Sequence, residues 1–249
     1  WGIEIVDVAT RRSLDRRRHD LGEVDSLALF AREGSQFLAA SGNSGLKLWQ
    51  LASDAAGRGS LRLEPRAQQA GERSLNLAVS RDSRWIAWVD HDRTVRLWDI
   101  ARSQPLELHA PQMNHGWHGL AFDPAGRLIF ITDQGTAEVW DVAAKKSAFH
   151  LGEPGHFKAP HIALSPNGKW LAAVAEPGAV EIWDTSERKL AYGFQAERAA
   201  SVWSLAWSPD NDRLVVGFAD GGLAIWSLAT IRKELNQMGL AENAEDSAK

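Results

Sequence analysis

The chain has 249 residues, 44% hydrophobic and 24% charged, with a net charge of −4. That balance excludes wholesale disorder, argues against general nucleic-acid binding and, with no cysteine, removes disulfides, thiolate catalysis and Cys-type zinc sites. No apolar run approaches the roughly 18 residues that a membrane-spanning helix needs, and the opening Trp1-Gly2-Ile3-Glu4 has no signal-peptide shape. Tryptophan is unusually frequent, 12 against 1 Tyr, which suggests one structural slot filled repeatedly.

In chain order, Ile3 to Val8 is a short apolar strand, and a polar strand follows at about Leu14 to His19. From Ser26 one pattern then recurs five times. Its first strands are Ser26 to Phe30, Leu75 to Val79, Gly119 to Phe122, Ile162 to Leu164 and Ser204 to Trp207. Tight turns follow at Glu33-Gly34, Asp82-Ser83, Ala125-Gly126, Asn167-Gly168 and Asp210-Asn211, three with Pro just ahead. Second strands are Phe37 to Ala40, Trp85 to Val89, Leu128 to Ile131, Trp170 to Val174 and Leu214 to Phe218. After a second turn, third strands end in Trp49, Trp98, Trp140, Trp183 and Trp226, spaced 49, 42, 43 and 43 apart. A more polar fourth strand follows, as in Lys189 to Phe194. Counting back 43 from Trp49 lands on Val6, a degenerate sixth copy with Asp7 intact. The long 49-residue step reflects a surface loop from Ala52 to Arg73 that holds one outer strand, Leu61-Arg62-Leu63.

A four-stranded antiparallel sheet usually wets one face. Strands that are apolar on both faces therefore imply sheets sandwiched between like neighbours, with only the outermost strand in water. Radial stacking of such sheets is a β-propeller. The Trp-Asp endings, the turn phase and the 43-residue period resemble the WD-repeat family over roughly Gly2 to Leu228. The resemblance implies an all-β propeller of four-stranded antiparallel blades: a partial blade at 1–20, then units at 21–72, 73–114, 115–157, 158–198 and 199–228. It also implies that Trp49, Trp98, Trp140, Trp183 and Trp226 pack in third strands. In the family that Trp joins a Ser/Thr, a His between blades and an Asp in the second turn. The Asp slot reads Asn43, Asp92, Gln134, Pro177 and Asp220, so only Asp92 and Asp220 match. Gly155-His156 is the one Gly-His pair, and His19 is another His candidate. Most blades are therefore expected to rely on packing.

The chain opens inside a third strand and its last unit stops after its third strand, which reads as a piece of a longer parent chain; a closed five-bladed ring is the alternative. Residues 229–240 form a short amphipathic helix, with Ile231, Leu235 and Met238 on one face and Gly239 as C-cap. Packing on the propeller rim and docking of a partner are both open to it. Residues 241–249 read as a disordered acidic tail. This C-terminal segment resembles the ends of bacterial WD-repeat chains, which are often appended to a Ser/Thr protein kinase domain. No Gly-rich phosphate loop or His-Arg-Asp loop occurs here.

Catalysis finds no footing. A nucleophile needs an adjacent base and an oxyanion site, and neither is identifiable. His115 and His118 are three apart but flank Gly116-Trp117 in a loop, where a structural or solvent role competes with metal binding. Asp141 and Asp184 fit turn or strand-end hydrogen bonds. No cofactor and no metal are expected. Candidate interaction residues are Trp117 and His118, entering one first strand, Trp203, early in another, and the basic Arg16, Arg17 and Arg18, which with Arg11 and Arg12 either guard an outer edge or offer an anionic partner a patch. Trp203 competes with an interblade packing role, and no aromatic ladder accompanies the arginines, so single-stranded nucleic acid is not expected. The resulting expectation is a non-catalytic scaffold for protein or peptide partners, with no nucleic acid and no membrane segment in this chain, in a larger bacterial, kinase-linked signalling protein. The alternative is a small-molecule-sensing propeller regulating an attached kinase.

Overall fold

Short β-prone runs punctuated by turn residues fold into six antiparallel sheets, each with its strands in sequence order. The computed structural model describes residues 2–7, 9–52, 62–70, 74–106, 108, 112–113, 119–195 and 201–238, with backbone alone at 17, 52, 62–70 and 74–75. The expected tail, 241–249, lies outside the described residues.

The strands β1 (Gly2–Asp7) and β2 (Arg12–Arg18) make a ribbon. Blade one comprises β3 (Val24–Arg32), β4 (Ser35–Gly42), β5 (Gly45–Ala52) and β6 (Arg62–Ala70). Blade two comprises β7 (Ser74–Val79), β8 (Trp85–Asp90), β9 (Val95–Asp99) and β10 (Gln104–Leu106). Blade three comprises β11 (Leu120–Phe122), β12 (Leu128–Ile131), β13 (Ala137–Asp141) and β14 (Lys146–Leu151). Blade four comprises β15 (Ile162–Leu164), β16 (Trp170–Glu176), β17 (Ala179–Asp184) and β18 (Lys189–Gln195). Blade five has three strands, β19 (Val202–Trp207), β20 (Arg213–Phe218) and β21 (Leu223–Ser227), and runs into α1 (Leu228–Gln237). First strands touch in succession, β3 to β7 to β11 to β15 to β19, so they run nearest the axis of a five-bladed β-propeller.

Why the second strands are apolar throughout is plain from their packing. Along β8, Trp85, Ala87 and Val89 enter the core shared with blade three, while Ile86 and Trp88 enter the core shared with blade one. In β12, Leu128 and Phe130 face blade two, and Ile129 and Ile131 face blade four. A strand has a side-chain period of two, so burial on both faces demands an unbroken apolar run. The recurring indoles occupy one slot. Trp49 packs into the core with the ribbon, Trp98 into that with blade one, Trp140 with blade two, Trp183 with blade three and Trp226 with blade four. Each wedges its own sheet against the one before it.

The turn chemistry follows the sequence closely. Glu33, Gly34, Ser83, Gly126, Gly168 and Asn211 all have φ between 51° and 79°, the left-handed conformation that a tight hairpin needs. At the third turn the Asp after the Trp is the organiser. Asp99, Asp141 and Asp184 each accept the backbone N–H three residues on through Oδ1, at 2.9, 2.8 and 2.9 Å. Asp7 of the ribbon does the same at 2.7 Å, and its carboxyl is held below its ordinary pKa chiefly by the Thr10 backbone bond. The ribbon thus ends like a third strand. Blade five carries Ser227 in this slot, and Ser227 Oγ accepts Thr230 N at 3.2 Å. The same i to i+3 reach that turns a hairpin elsewhere here caps a helix.

Two elements differ from expectation. The outer strand of blade one runs over Arg62–Ala70 rather than three residues, because β5 offers partners along its whole length, from Gly45 opposite Ala70 to Ala52 opposite Arg62. Pro65 is tolerated there, at a bulge on an outer strand. In α1 the C-cap is Met238, at φ −83°, and Gly239 lies outside the described residues. The helix packs on the propeller: Leu228 and Ile231 join the core between blades four and five, and Arg232 Nε donates to Tyr192 Oη at 3.0 Å. Apolar residues remain open at both ends of the succession, Leu27 and Leu29 on β3 and Leu223 and Ile225 on β21.

Candidate functional site

The two ends of the propeller differ. At one end the connections that enter blades one, three, four and five are laced to second turns: Ser44 N donates to Leu21 O, Met113 N to Arg93 O, Phe157 N to Gly135 O and Ala219 N to Ser201 O. At the other end lie the first and third hairpin turns. Backbone groups at the entry end are therefore committed to holding connections in place, and side chains carried there stand on a fixed base.

Blade four shows how a connection is anchored. His156 Nε2 lies 2.7 Å from Glu181 Oε2, and Trp183 Nε1 donates to the same oxygen at 2.9 Å. The imidazole stands edge-on to Trp183, with centroids 5.5 Å apart and planes at 90°. Glu181 therefore serves a blade whose Asp slot is Pro177. This residue was not among those singled out from the sequence; a Glu two residues before Trp183 shares its strand face, which was the available signal. Glu138 holds the matching place before Trp140, yet the buried Nε1 atoms of Trp140 and Trp98 have no partner among the described residues. Packing, not hydrogen bonding, fixes those indoles. In blade one, His19 leans on Trp49 with centroids 6.5 Å apart and its Nδ1 accepts Leu21 N at 3.3 Å. Burial pushes its pKa down, and the Lys47 ammonium adds to that.

The two matching Asp residues brace their own second turns. Asp92 Oδ1 accepts Thr94 N at 2.9 Å, and Asp220 Oδ1 accepts Gly222 N at 2.8 Å. Burial acts to raise the Asp92 pKa, but the Thr94 hydrogen bonds and the Arg96 charge outweigh it and hold it low.

Of the candidate interaction residues, Trp117 and His118 lie outside the described residues, as does His115. Arg16 and Arg18 are exposed on β2, and Arg16 is the cross-strand partner of Glu4; the Arg17 side chain is outside the description. Trp203 is the informative one. It is 65% exposed and sits at a register shift, because Val202 faces Phe218 while Ser204 already faces Gly217. A bulge leaves one residue unpaired and re-aims its side chain. That is why an indole inside a first strand stands in solvent while Trp207, four residues on, is half-buried and donates to Ala163 O of blade four at 3.0 Å. Among the described residues no group of three His, Asp or Glu side chains is placed to hold a metal, and no helix is long and apolar enough to cross a membrane.

Residues 189–227 match the family described as WD domain, G-beta repeat. The matched segment starts with β18 and ends with β21, so the sequence repeat is one strand out of phase with the blade. The chain is 25% identical over 144 residues to Pre-mRNA-processing factor 17 of Homo sapiens, and to its Mus musculus counterpart by the same figures, covering 57% of this chain and 24% of each relative. The chain thus spans about a quarter of the length of the curated relatives it matches. Fold and comparison together show a five-bladed β-propeller that carries a WD repeat.

Proposed function

We propose that this propeller is a non-catalytic protein-interaction platform, whose contact surface at the entry end is built around Trp203. The carrying observation is the exposure of that indole on a first strand that is otherwise locked into the sheet. A large rigid aromatic held open to solvent is the residue type that anchors protein interfaces. Exposure of isolated apolar side chains is ordinary, but Trp203 is presented by a bulge, a local device that orients it. Trp117 and His118, on the connection entering blade three, and Arg16, Arg17 and Arg18, on the ribbon, complete the set of residues assigned to partner contact.

The pre-mRNA-processing role in the relatives' name is not carried over at this identity and coverage. The bacterial, kinase-linked setting rests on the C-terminal resemblance alone; the matched relatives are mammalian, and the platform reading does not depend on it.

Trp203→Ala is expected to weaken a partner recovered with the intact protein by about tenfold or more, with unfolding stability changed by less than about 0.5 kcal/mol. Titration calorimetry and denaturant unfolding read the two effects. Wild-type affinity in Trp203→Ala, in Trp117→Ala and in the triple Arg16, Arg17, Arg18 to Ala variant overturns the assignment.

A further inference from the structure

The opposite end of the propeller carries an arginine-lined cleft of about 610 Å3 between blades one and two. Its walls are the first hairpin turn of blade one, the first hairpin turn of blade two, and the third turn of blade two. The first two walls are tied together, since Ser83 Oγ donates to Ala31 O at 2.7 Å. Four guanidinium groups line it, from Arg32, Arg81, Arg84 and Arg102, against three carboxylates.

The carboxylates are already engaged. Glu33 Oε1 accepts Arg32 Nε and Nη2 at 3.2 and 3.1 Å. Asp82 Oδ1 accepts Ser80 Oγ at 2.6 Å and Arg84 N at 3.1 Å. Asp99 is buried and turns both oxygens to Arg102, to its backbone N at 2.9 Å and its Nη1 at 3.4 Å. That leaves Arg81 and Arg84 with no carboxylate partner among the described residues. Arg84 is held in place by another contact, its guanidinium lying 4.6 Å over the Trp85 ring. A guanidinium held over an aromatic face keeps its N–H donors, which lie in its own plane, available for two parallel hydrogen bonds to an anionic group.

We propose that this cleft takes an anionic side chain presented by a partner peptide, either a phosphorylated Ser or Thr or a short run of Asp and Glu. The inference rests on the interaction-platform reading for the kind of ligand, but not on Trp203, which stands at the other end. A peptide is favoured over a nucleic acid on three observations. The chain's net charge of −4 opposes a long polyanion. Among the described residues the cleft holds two guanidiniums without a carboxylate partner rather than a basic track. The face of Trp85 is covered by Arg84 and so offers bases no stacking platform.

The test is fluorescence anisotropy on the intact chain with four labelled probes: hexaglutamate, a Gly-Ser peptide with one phosphoserine, the same peptide unphosphorylated, and an oligouridylate. Hexaglutamate or the phosphopeptide is expected to bind while the unphosphorylated peptide does not, and which of the two binds tighter identifies the source of the anion. Arg81→Ala with Arg84→Ala is expected to lower that affinity at least tenfold, and the paired Lys substitutions to restore part of it. Trp203→Ala is expected to leave it unchanged. If removing Arg84 unsettles Trp85 and the double variant does not fold, Arg81→Ala with Arg102→Ala replaces it with the same expectation. Unchanged binding in the Arg variants, no binding of either anionic peptide, or tighter binding of the oligouridylate overturns the proposal. Loss of peptide binding in Trp203→Ala also counts against it. If the cleft fails while Trp203→Ala still releases partners, only the cleft falls; the reverse result removes the Trp203 surface alone.

Discussion

Phe130→Ala is expected to cost about 3–5 kcal/mol of stability, the range for truncating a fully buried aromatic. Phe130 has no solvent exposure and lies on β12 in the core between blades two and three. Its neighbours cannot close over the space, because the strand that carries it is clamped on the other face by Ile129 and Ile131 against blade four. In a stack of like units, stability is carried by nearest-neighbour contacts, so the loss removes one joint rather than thinning a common core. Denaturant unfolding of Phe130→Ala beside Leu29→Ala separates the two kinds of apolar residue. Leu29 is 64% exposed, and its removal is expected to stay within about 0.5 kcal/mol. Equal shifts in the two variants contradict the assignment of Phe130 to a joint.

Gly119→Ala is expected to cost about 3 kcal/mol, at the upper end of the overpacking range. A Cβ at Gly119 would stand 1.8 Å from the Pro160 carbonyl oxygen. That oxygen belongs to the backbone entering blade four, so it cannot rotate aside; either β11 or β15 must move, and both lie against the axis. Gly126 is the contrasting case. It has φ +79° and nothing within 4 Å of where a Cβ would stand, so Gly126→Ala meets only the left-handed backbone penalty of about 1 kcal/mol. Thermal or denaturant unfolding that ranks Gly126→Ala as the more damaging change contradicts the close approach of the two first strands.

Much of this architecture was legible in the sequence because each repeat meets its neighbour in the same way. An indole that always wedges against the preceding sheet recurs at a fixed period, and a hairpin that always needs a left-handed residue recurs in phase with it. Asp141 and Asp184 were readable as strand-end acceptors for the same reason, and Asp99 plays the same part. What escaped depends on residues from different blades, or on a local slip in pairing. The bulge that exposes Trp203 leaves no mark in the apolar pattern of β19. The reach of Glu181 to His156 spans 25 positions. The cleft brings together Arg32 and Arg81, which belong to different blades and have no common motif. Even the two Asp residues that matched the family's slot, Asp92 and Asp220, each use Oδ1 to brace their own turn.

The chain labelled with 5-fluorotryptophan, with resonances assigned by single Trp→Phe substitutions, allows the solvent isotope shift of each indole to be read by fluorine NMR between light and heavy water. Trp49, Trp98 and Trp140, each 6–7% exposed, are expected to show almost no shift, Trp183 and Trp226 an intermediate one, and Trp203 the full shift of a free indole. A full shift at Trp49, Trp98 and Trp140, or a shielded Trp203, contradicts both the wedged stack of sheets and the contact surface placed upon it.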